Sequence, residues 1–309
     1  MNGVRTGALV VITCLFVSCY SWDQAVTACY ERGNCLRDGG AEDAAVDYDL
    51  ALWPVPPEAP TNYQFDELTV LDRNTLLVWQ KAQGGLASWA QATRQCEGLN
   101  TLGFGGVTTA WRLPTAIELL SLIDSSRTSP AINSASFPGT ESVGFWSSSV
   151  DDLDGGTAWE VGFARGDARL VSVTEQAQVR CVTSKEPTPP RPRYRTDESA
   201  GVVLDLVTGL TWERSVTAEV SRAFAQAHCD SLDAGWRLPA KKELESIVRR
   251  HGPGSMIDPS AFASSVEGFF WSATPASGTT LTSTWGVDFT DDRTTFTPDV
   301  FLRSARCVH

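Results

Sequence analysis

The stretch Trp111-Arg112-Leu113-Pro114 recurs 125 positions later as Trp236-Arg237-Leu238-Pro239, and this pair of motifs decides how the chain is organised. Further along each half, Phe145-Trp146-Ser147 recurs as Phe270-Trp271-Ser272 at the same spacing. Landmarks that recur in one order at a nearly constant spacing indicate an internal repeat. We therefore predict a duplication, in which one domain occurs twice in tandem.

Proline-rich stretches separate the two copies from each other and from the N-terminus. The stretch from Ser184 to Arg195 holds four prolines and predicts a stiff spacer, and the stretch from Gly39 to Asn62 holds four more and predicts a tether. The predicted segments are a signal peptide at 1–18, an anchor-proximal segment and tether at 19–65, the first copy at 66–183, a Pro-rich linker at 184–196, and the second copy at 197–309.

Each copy has the same predicted order of strands and helices. A strand ends at the first Trp, a helix bearing the first Cys follows, and a second helix follows the Trp-Arg-Leu-Pro motif. Thr115 and Glu118 form a capping box for that second helix. In copy two Ala240 replaces Thr115, which by itself costs about 1 kcal/mol. Alternating large side chains then predict strands, and a final strand is expected to carry the second Cys.

Cysteine parity indicates an oxidising compartment. Of the eight cysteines, Cys14 lies in the predicted signal and Cys19 at the predicted anchor, which leaves an even number: Cys29, Cys35, Cys96, Cys181, Cys229 and Cys307. We expect Cys96 to pair with Cys181 and Cys229 with Cys307, each closing a loop and contributing about 4 to 5 kcal/mol, and Cys29 to pair with Cys35. A crossed pairing between the copies is disfavoured, because duplication implies that each copy was once complete alone.

The N-terminus is typical of an export signal. Arg5 supplies a positive charge and Ala8 to Val17 form an apolar stretch too short to span a bilayer. The segment Leu15 to Cys19 resembles a bacterial lipobox, which makes Cys19 a candidate lipid anchor to the membrane. We expect the protein in the cell envelope, at the outer membrane or cell surface. Ordinary secretion, or a periplasmic location, is the alternative.

The charge and aromatic content limit the classes of ligand. With 37 acidic and 25 basic residues the net charge is -12, so a nucleic-acid role is not expected. The chain holds 11 Trp residues, which suit either large cores or ring-stacking ligand sites. Of these alternatives we favour buried core tryptophans.

The order of the landmarks resembles a bacterial domain family named after the C-terminal domain of the Legionella collagen-like adhesin. In copy two these landmarks are Thr208 to Trp212, Cys229, Trp236 to Pro239 with Glu243-Leu244, Ile257-Asp258-Pro259 with Phe262, Phe270 to Ser272, and Arg306-Cys307-Val308. The resemblance covers about residues 66–183 and 197–309. It implies an α+β fold of two tandem C-type-lectin-like domains, each with two helices and a small antiparallel sheet, similar also to formylglycine-generating-enzyme domains. It further implies adhesive or ligand-binding roles at bacterial surfaces, and it transfers no catalytic residue.

Residue patterns give little support to catalysis or metal binding. The three histidines, His228, His251 and His309, lack the spacing of a metal motif, so neither a metal nor another cofactor is expected. Asp151, Asp152 and Asp154 could hold calcium, but a solvated turn is favoured because the matching loop of copy two has no acidic residue. Ser147 to Ser149 form a polar row that a strand edge explains better than a nucleophile does. We expect no enzymatic activity.

Two basic pairs in copy two are the candidate ligand-binding residues. Lys241-Lys242 begin the second helix and Arg249-Arg250 follow its end, and a sulfated glycan could use them. A solvated helical face is the alternative that we favour. The leading hypothesis for function is a cell-surface adhesion lipoprotein that recognises an extracellular glycan or protein ligand. A scaffold module of an envelope or extracellular assembly is the alternative.

Overall fold

The structure is a computed structural model and describes residues 50–106, 110–151, 155–184, 193–250, 257–262 and 267–309. The predicted signal peptide and the cysteines Cys19, Cys29 and Cys35 lie outside the described residues. Asp152, Asp154 and most of the predicted Pro-rich linker lie outside them too. No helix in the described ranges is both long and apolar enough to cross a membrane.

Copy one begins with three short strands, continues with two helices and ends with four strands. The elements are β1 (Tyr63–Phe65), β2 (Thr69–Asp72), β3 (Leu77–Gln80), α1 (Trp89–Leu102), a 3-10 turn (Phe104–Gly106), α2 (Ala116–Ser121), β4 (Gly144–Val150), β5 (Thr157–Gly162), β6 (Asp167–Ser172) and β7 (Val182–Ser184). The predicted capping box of α2 is confirmed: Thr115 Oγ1 accepts from Glu118 N at 3.4 Å, and Glu118 Oε2 accepts from Thr115 N at 2.8 Å.

Copy two has the same two helices followed by four strands, but four short strands precede its helices where copy one has three. The elements are β8 (Tyr194–Asp197), β9 (Val202–Asp205), β10 (Thr211–Glu213), β11 (Thr217–Val220), α3 (Arg222–Leu232), α4 (Lys241–Glu245), β12 (Phe269–Pro275), β13 (Ser283–Asp288), β14 (Arg293–Pro298) and β15 (Arg303–Ala305). Ala240 has no side-chain acceptor, but the Thr274 hydroxyl accepts from Lys241 N at 2.8 Å. This contact supplies one of the hydrogen bonds that the first turn of α4 requires.

One sheet runs through both copies. Its strand order is β11-β15-β12-β13-β14-β6-β5-β4, and the two copies join where β14 pairs antiparallel with β6. Two smaller sheets, β1-β2-β3-β7 and β10-β9-β8, lie one in each copy. The mixed α and β class is confirmed, with strands more numerous than helices.

Most of the aromatic landmarks are buried. Trp79, Trp146, Trp212 and Trp271 are fully excluded from solvent, and Trp111, Trp159 and Trp285 nearly so. Among the described tryptophans, Trp89 and Trp236 keep partial exposure. The preference for core tryptophans over ring-stacking sites is therefore confirmed in this part of the chain.

Two elements differ from the sequence-based expectation. The second cysteine of each copy lies beside a strand and not within one, because Cys181 precedes β7 and Cys307 follows β15.

The described end of the predicted tether, residues 50–62, does not run free of the domains. Ala51 and Trp53 are buried in the core of copy one, against helix α2. We call residues 50–60 the N-terminal strap.

Candidate functional site

The Arg of each Trp-Arg-Leu-Pro motif has a structural partner. Arg112 donates to both carboxylate oxygens of Glu118, at 2.7 and 2.6 Å, and Arg237 makes the same bidentate pair with Glu243 at 2.7 Å. Burial alone would lower the pKa of Arg112, but the adjacent Glu118 carboxylate outweighs it and raises that pKa. Each motif therefore ties the chain before the short helix to the first turn of that helix.

A second Arg in each copy is buried without a carboxylate partner. Arg180 donates to the carbonyl oxygens of Gln80 and Lys81 at 2.9 and 2.6 Å, and its guanidinium lies 4.8 Å from the Phe137 ring. Burial lowers the pKa of Arg180 to about 9. Arg306 repeats these carbonyl contacts in copy two, and its pKa falls to about 10. In each copy this arginine therefore links the end of one strand of the small sheet, β3 in copy one and β10 in copy two, to the segment that carries the second cysteine.

The serine row next to Trp146 satisfies backbone groups. Ser147 Oγ donates to Trp159 O at 2.7 Å, and Ser272 Oγ donates to Trp285 O at 2.6 Å in copy two. Ser149 Oγ accepts from Ala116 N at 2.9 Å, which caps helix α2. The Ser147 and Ser272 hydroxyls therefore join neighbouring strands through backbone groups.

Both predicted disulfides of the copies are confirmed. Cys96 is bonded to Cys181 and Cys229 to Cys307, and all four cysteines are buried. His228 Nε2 lies 3.3 Å from a Glu213 oxygen next to Cys307. A cysteine sulfur is a good metal ligand only as a thiolate, and the Cys307 sulfur is held in the disulfide. This cluster therefore offers a metal two ligands in the oxidised protein.

The two lysines predicted to bind a ligand are buried, so this prediction is wrong for both of them. Lys241 is 1% exposed and Lys242 is 4% exposed. Lys241 Nζ lies 3.9 Å from the Trp285 ring centroid and donates to Gly166 O in copy one. Lys242 Nζ donates to Pro57 O at 2.8 Å and to Ser121 O at 3.0 Å. Burial lowers the pKa of Lys242 to about 7.

Gly166 makes the approach of Lys241 possible. Its φ of +93° belongs to the left-handed region, and a Cβ there would lie 2.9 Å from Lys241 Nζ. Lys241 and Gly166 come from different copies, so this contact belongs to the interface between them. The lysine head group serves that interface and has no route to a glycan in solvent.

Arg250 is also buried, at 3% exposure, whereas its neighbour Arg249 is partly exposed. Arg250 donates to Glu245 and, at 3.0 Å, to Thr294 Oγ1, and its guanidinium lies 5.2 Å from the Trp159 ring of copy one. The prediction of a ligand-binding role is therefore wrong for Arg250 as well. The alternative of a solvated helical face fails for Lys241, Lys242 and Arg250 alike.

A sequence signal for this burial existed in the alignment of the copies. Lys241 and Lys242 occupy the positions of Ala116 and Ile117, which are buried in copy one. Charged residues at positions that are apolar in the other copy indicate a buried polar interface as well as a solvated face.

The acidic loop of copy one comes near a buried acid of copy two. Burial is the main cause that raises the pKa of Asp292 to about 8, and the charge of Asp151 is one of the smaller causes of the same rise. Asp152 and Asp154 are outside the described ranges, so calcium binding by this loop stays a hypothesis.

An exposed apolar cluster, which the sequence analysis missed, lies at one end of the β13–β14 hairpin. Beyond the pair Ser283 and Pro298, Asp299 N donates to Thr282 O at 3.0 Å, which brings the two chain segments together. The cluster comprises Leu281, Val300, Phe301 and Leu302, exposed by 58, 78, 47 and 55%. We call these four residues the apolar tip.

The apolar tip belongs to copy two alone. In copy one the positions of Val300, Phe301 and Leu302 hold Thr174, Glu175 and Gln176. A comparison of the copies at surface positions would have found this difference. The fold does not require apolar residues here, since copy one folds with polar ones.

A search of curated proteins found no match to this chain. A family model described as the Lcl C-terminal domain matches residues 68–183 and again residues 201–309. The two matches cover well over half of the chain, and each contains the paired Arg and Glu, the buried Arg and the disulfide described above. The chain therefore belongs to the Lcl C-terminal domain family and carries two tandem copies of that domain.

Proposed function

We propose that this protein is a non-enzymatic binding protein of the cell surface, which recognises a protein ligand through the apolar tip of its second copy. The observation that carries the proposal is the exposure of Leu281, Val300, Phe301 and Leu302 together. Contiguous apolar surface on a soluble protein marks an interaction site more often than chance exposure of single residues does.

The apolar character of the tip favours a protein ligand over a sulfated glycan. A sulfated glycan requires accessible cations, and Lys241, Lys242 and Arg250 are buried between the copies. An aromatic and aliphatic cluster is the usual centre of a protein interface. The guanidinium of Arg303, 5.0 Å from the Phe301 ring, adds a polar rim to the tip.

The absence of enzymatic activity remains part of the proposal. Its support is that the arginines, glutamates and serines of the repeated motifs are bonded to one another or to the backbone. A C-type-lectin-like architecture for each copy and a lipid anchor at Cys19 also belong to the proposal. Both are consistent with a domain that is presented at a surface to meet a partner.

An array of immobilised extracellular matrix proteins, probed with the chain from residue 20 onward, tests the proposal. We expect binding to one or more proteins, and a loss of about tenfold or more in the triple variant Val300→Ser, Phe301→Ser, Leu302→Ser. Removal of well-packed apolar anchors typically costs more than 1 kcal/mol each. The same fragment on a glycan array, with and without calcium, tests the glycan alternative.

The control variant is Leu102→Ser in copy one. Leu102 is as exposed as Val300, at 78%, but lies at the end of helix α1 and outside the tip. Its binding should equal that of the parent chain. Equal binding by the triple variant would overturn the assignment of the tip.

A structural scaffold is the second candidate. The continuous eight-stranded sheet favours it, because the sheet holds the two copies in one body at a fixed spacing. Fixed copies are suited to bridging neighbours in an assembly. A reproducible pull-down of an envelope protein that survives the triple tip variant would favour the scaffold over the binding role.

A further inference from the structure

The N-terminal strap lies in a cleft between the two copies. Trp53, Val55 and Pro56 of the strap face Ile117 and Leu120 from helix α2 and Lys242 and Glu245 from helix α4. None of the strap residues belongs to a strand or a helix. The strap is therefore bound to the domains without joining any of the three sheets.

Polar groups of both copies hold the backbone of the strap. Lys242 Nζ donates to Pro57 O at 2.8 Å, and Ser125 N donates to Glu58 O at 2.9 Å. Lys242 N donates to the Glu58 carboxylate at 2.9 Å, and Arg193 donates to Ala51 O. Copy one and copy two each recognise Glu58, one through its carbonyl group and the other through its side chain.

The strap buries one side and exposes the other. Its buried residues are Leu50, Ala51, Trp53, Pro56 and Pro60, and its exposed residues are Leu52, Pro54, Pro57 and Ala59. Prolines restrict φ to about -65°, so an extended proline-rich segment loses little conformational entropy when it binds. Peptide-binding domains recognise such segments through an aromatic-lined or apolar groove.

The fit between strap and cleft is close. The space left between them is a cavity of about 10 Å³, which is about the size of one water molecule. The cleft therefore has no room for a small-molecule ligand beside the strap. Its shape and its donors match the strap itself.

We propose that the cleft between the copies is a peptide-binding groove, and that residues 50–60 are the ligand it holds in this chain. The ligand class is an extended, proline-containing peptide with one buried aromatic residue and, five positions later, one carboxylate. Trp53 fills the apolar part of the groove, and Glu58 meets the donors of Ser125 and Lys242. Every contact is one that a separate peptide of this sequence can make.

The test begins with the whole folded chain. A protease recognition site is inserted between Thr61 and Asn62, both of which are exposed, and the folded protein is cut there. A fluorescent synthetic peptide of residues 49–61 is then added, and its binding is measured by anisotropy after the native fragment has been removed by dialysis. We expect saturable binding and a rise in Tm that grows with peptide concentration.

Variants of the peptide distinguish specific binding in the groove from non-specific apolar binding. Trp53→Ala and Glu58→Gln peptides should bind about tenfold more weakly, and a Pro54→Ala peptide, changed on the exposed side, should bind within about threefold of the parent. In the uncut chain Trp53→Ala should lower Tm, whereas Pro54→Ala should change it little. Exchange of the segment between two molecules to give a dimer would also support the groove.

Three results would overturn the proposal. The first is that the cut and dialysed chain keeps the Tm of the uncut chain, since the strap would then contribute nothing. The second is that the labelled peptide neither binds nor raises Tm. The third is that the Trp53→Ala and Glu58→Gln peptides bind as well as the parent peptide.

Discussion

Thr294 in β14 lies directly opposite Ala168 in β6, and the two residues occupy equivalent positions in the two copies. Antiparallel pairing of equivalent residues places a local twofold axis between these strands. The pairing also removes an open sheet edge from each copy, and open edges promote aggregation. The duplicated domain thus forms an internal pseudo-dimer, with both halves on one chain.

The contacts next to Thr294 and Ala168 at the interface lead us to expect that the two copies unfold in a single transition. The guanidinium of Arg250 lies 5.2 Å from the Trp159 ring of copy one, and within copy two Arg250 bonds to Glu245 and to Thr294, whose hydroxyl also bonds to Glu245. Thr294→Val keeps the shape of the side chain but leaves a buried carboxylate oxygen without its partner, at a cost of about 1 to 3 kcal/mol. Differential scanning calorimetry should show one transition for the parent chain and a lower Tm for the variant.

Thr295→Val is the control for that prediction. Thr295 is the neighbouring residue of β14 and is partly exposed. Its replacement should change the unfolding free energy by less than about 0.5 kcal/mol. Two separate transitions in the parent chain would contradict the single cooperative unit.

Sequence reasoning predicted the parts of the fold that repeat. The Trp-Arg-Leu-Pro motif, the capping box at Thr115 and the pairing of Cys96 with Cys181 all depend on contacts within one copy. Each of these contacts requires particular residues at equivalent positions of the two copies, so the same pattern occurs twice in the sequence and supports the same prediction twice. The helix that carries Cys96 was predicted from periodicity, and its burial pattern follows that periodicity.

The contacts between the copies could not be predicted in the same way. Lys241 and Lys242 correspond to the apolar residues Ala116 and Ile117 of copy one, and their burial depends on the packing of α2 against α4. The strap was misinterpreted because its prolines indicate low order when the groove that holds them is unknown. Composition describes a segment alone, whereas Trp53 is buried by residues far along the chain.

The buried Lys242 predicts that stability rises with pH above 8. Its pKa is lowered to about 7 in the folded protein by burial, whereas an unfolded lysine keeps a pKa near 10.5. Between these values the unfolded state binds more protons, so the unfolding free energy increases with pH. We expect a gain of about 2 kcal/mol between pH 8 and pH 9.5, measured by urea unfolding. Lys242→Met should reduce this gain.

Other titrating groups set the pH window and the control. Asp292, with its pKa raised to about 8, contributes stability that is lost as the pH rises towards 8, so the slope is read above that value. Lys241 is also buried with a lowered pKa, so part of the gain should persist in the single variant. The double variant Lys241→Met, Lys242→Met should remove most of the gain below pH 9, above which Arg180 with its lowered pKa also contributes, and an unchanged slope below pH 9 would contradict the assignment.

The two disulfides predict equal losses of stability in the two copies. They close loops of similar length, with separations of 85 and 78 residues. Replacing either pair by alanine should cost about 2 to 5 kcal/mol, because the unfolded chain regains loop entropy. Urea unfolding of both double variants measures this cost. Non-reducing peptide mapping should recover Cys96 with Cys181, and recovery of Cys96 with Cys229 would refute the two-domain arrangement.

The buried arginines predict a matched pair of destabilised variants. Arg180→Met removes the side-chain donor to Gln80 O and Lys81 O at the end of β3. Arg306→Met removes the donor to Glu213 O and Arg214 O at the end of β10. Each unpaired carbonyl costs about 1 to 3 kcal/mol, and relief from burying a charge offsets part of this. We expect each variant to lose about 2 to 4 kcal/mol in urea unfolding. Arg195→Met, at an exposed position of β8, should lose almost nothing. If Arg180→Met and Arg306→Met were as stable as Arg195→Met, the carbonyl contacts would not be what holds the cysteine segment to the first sheet.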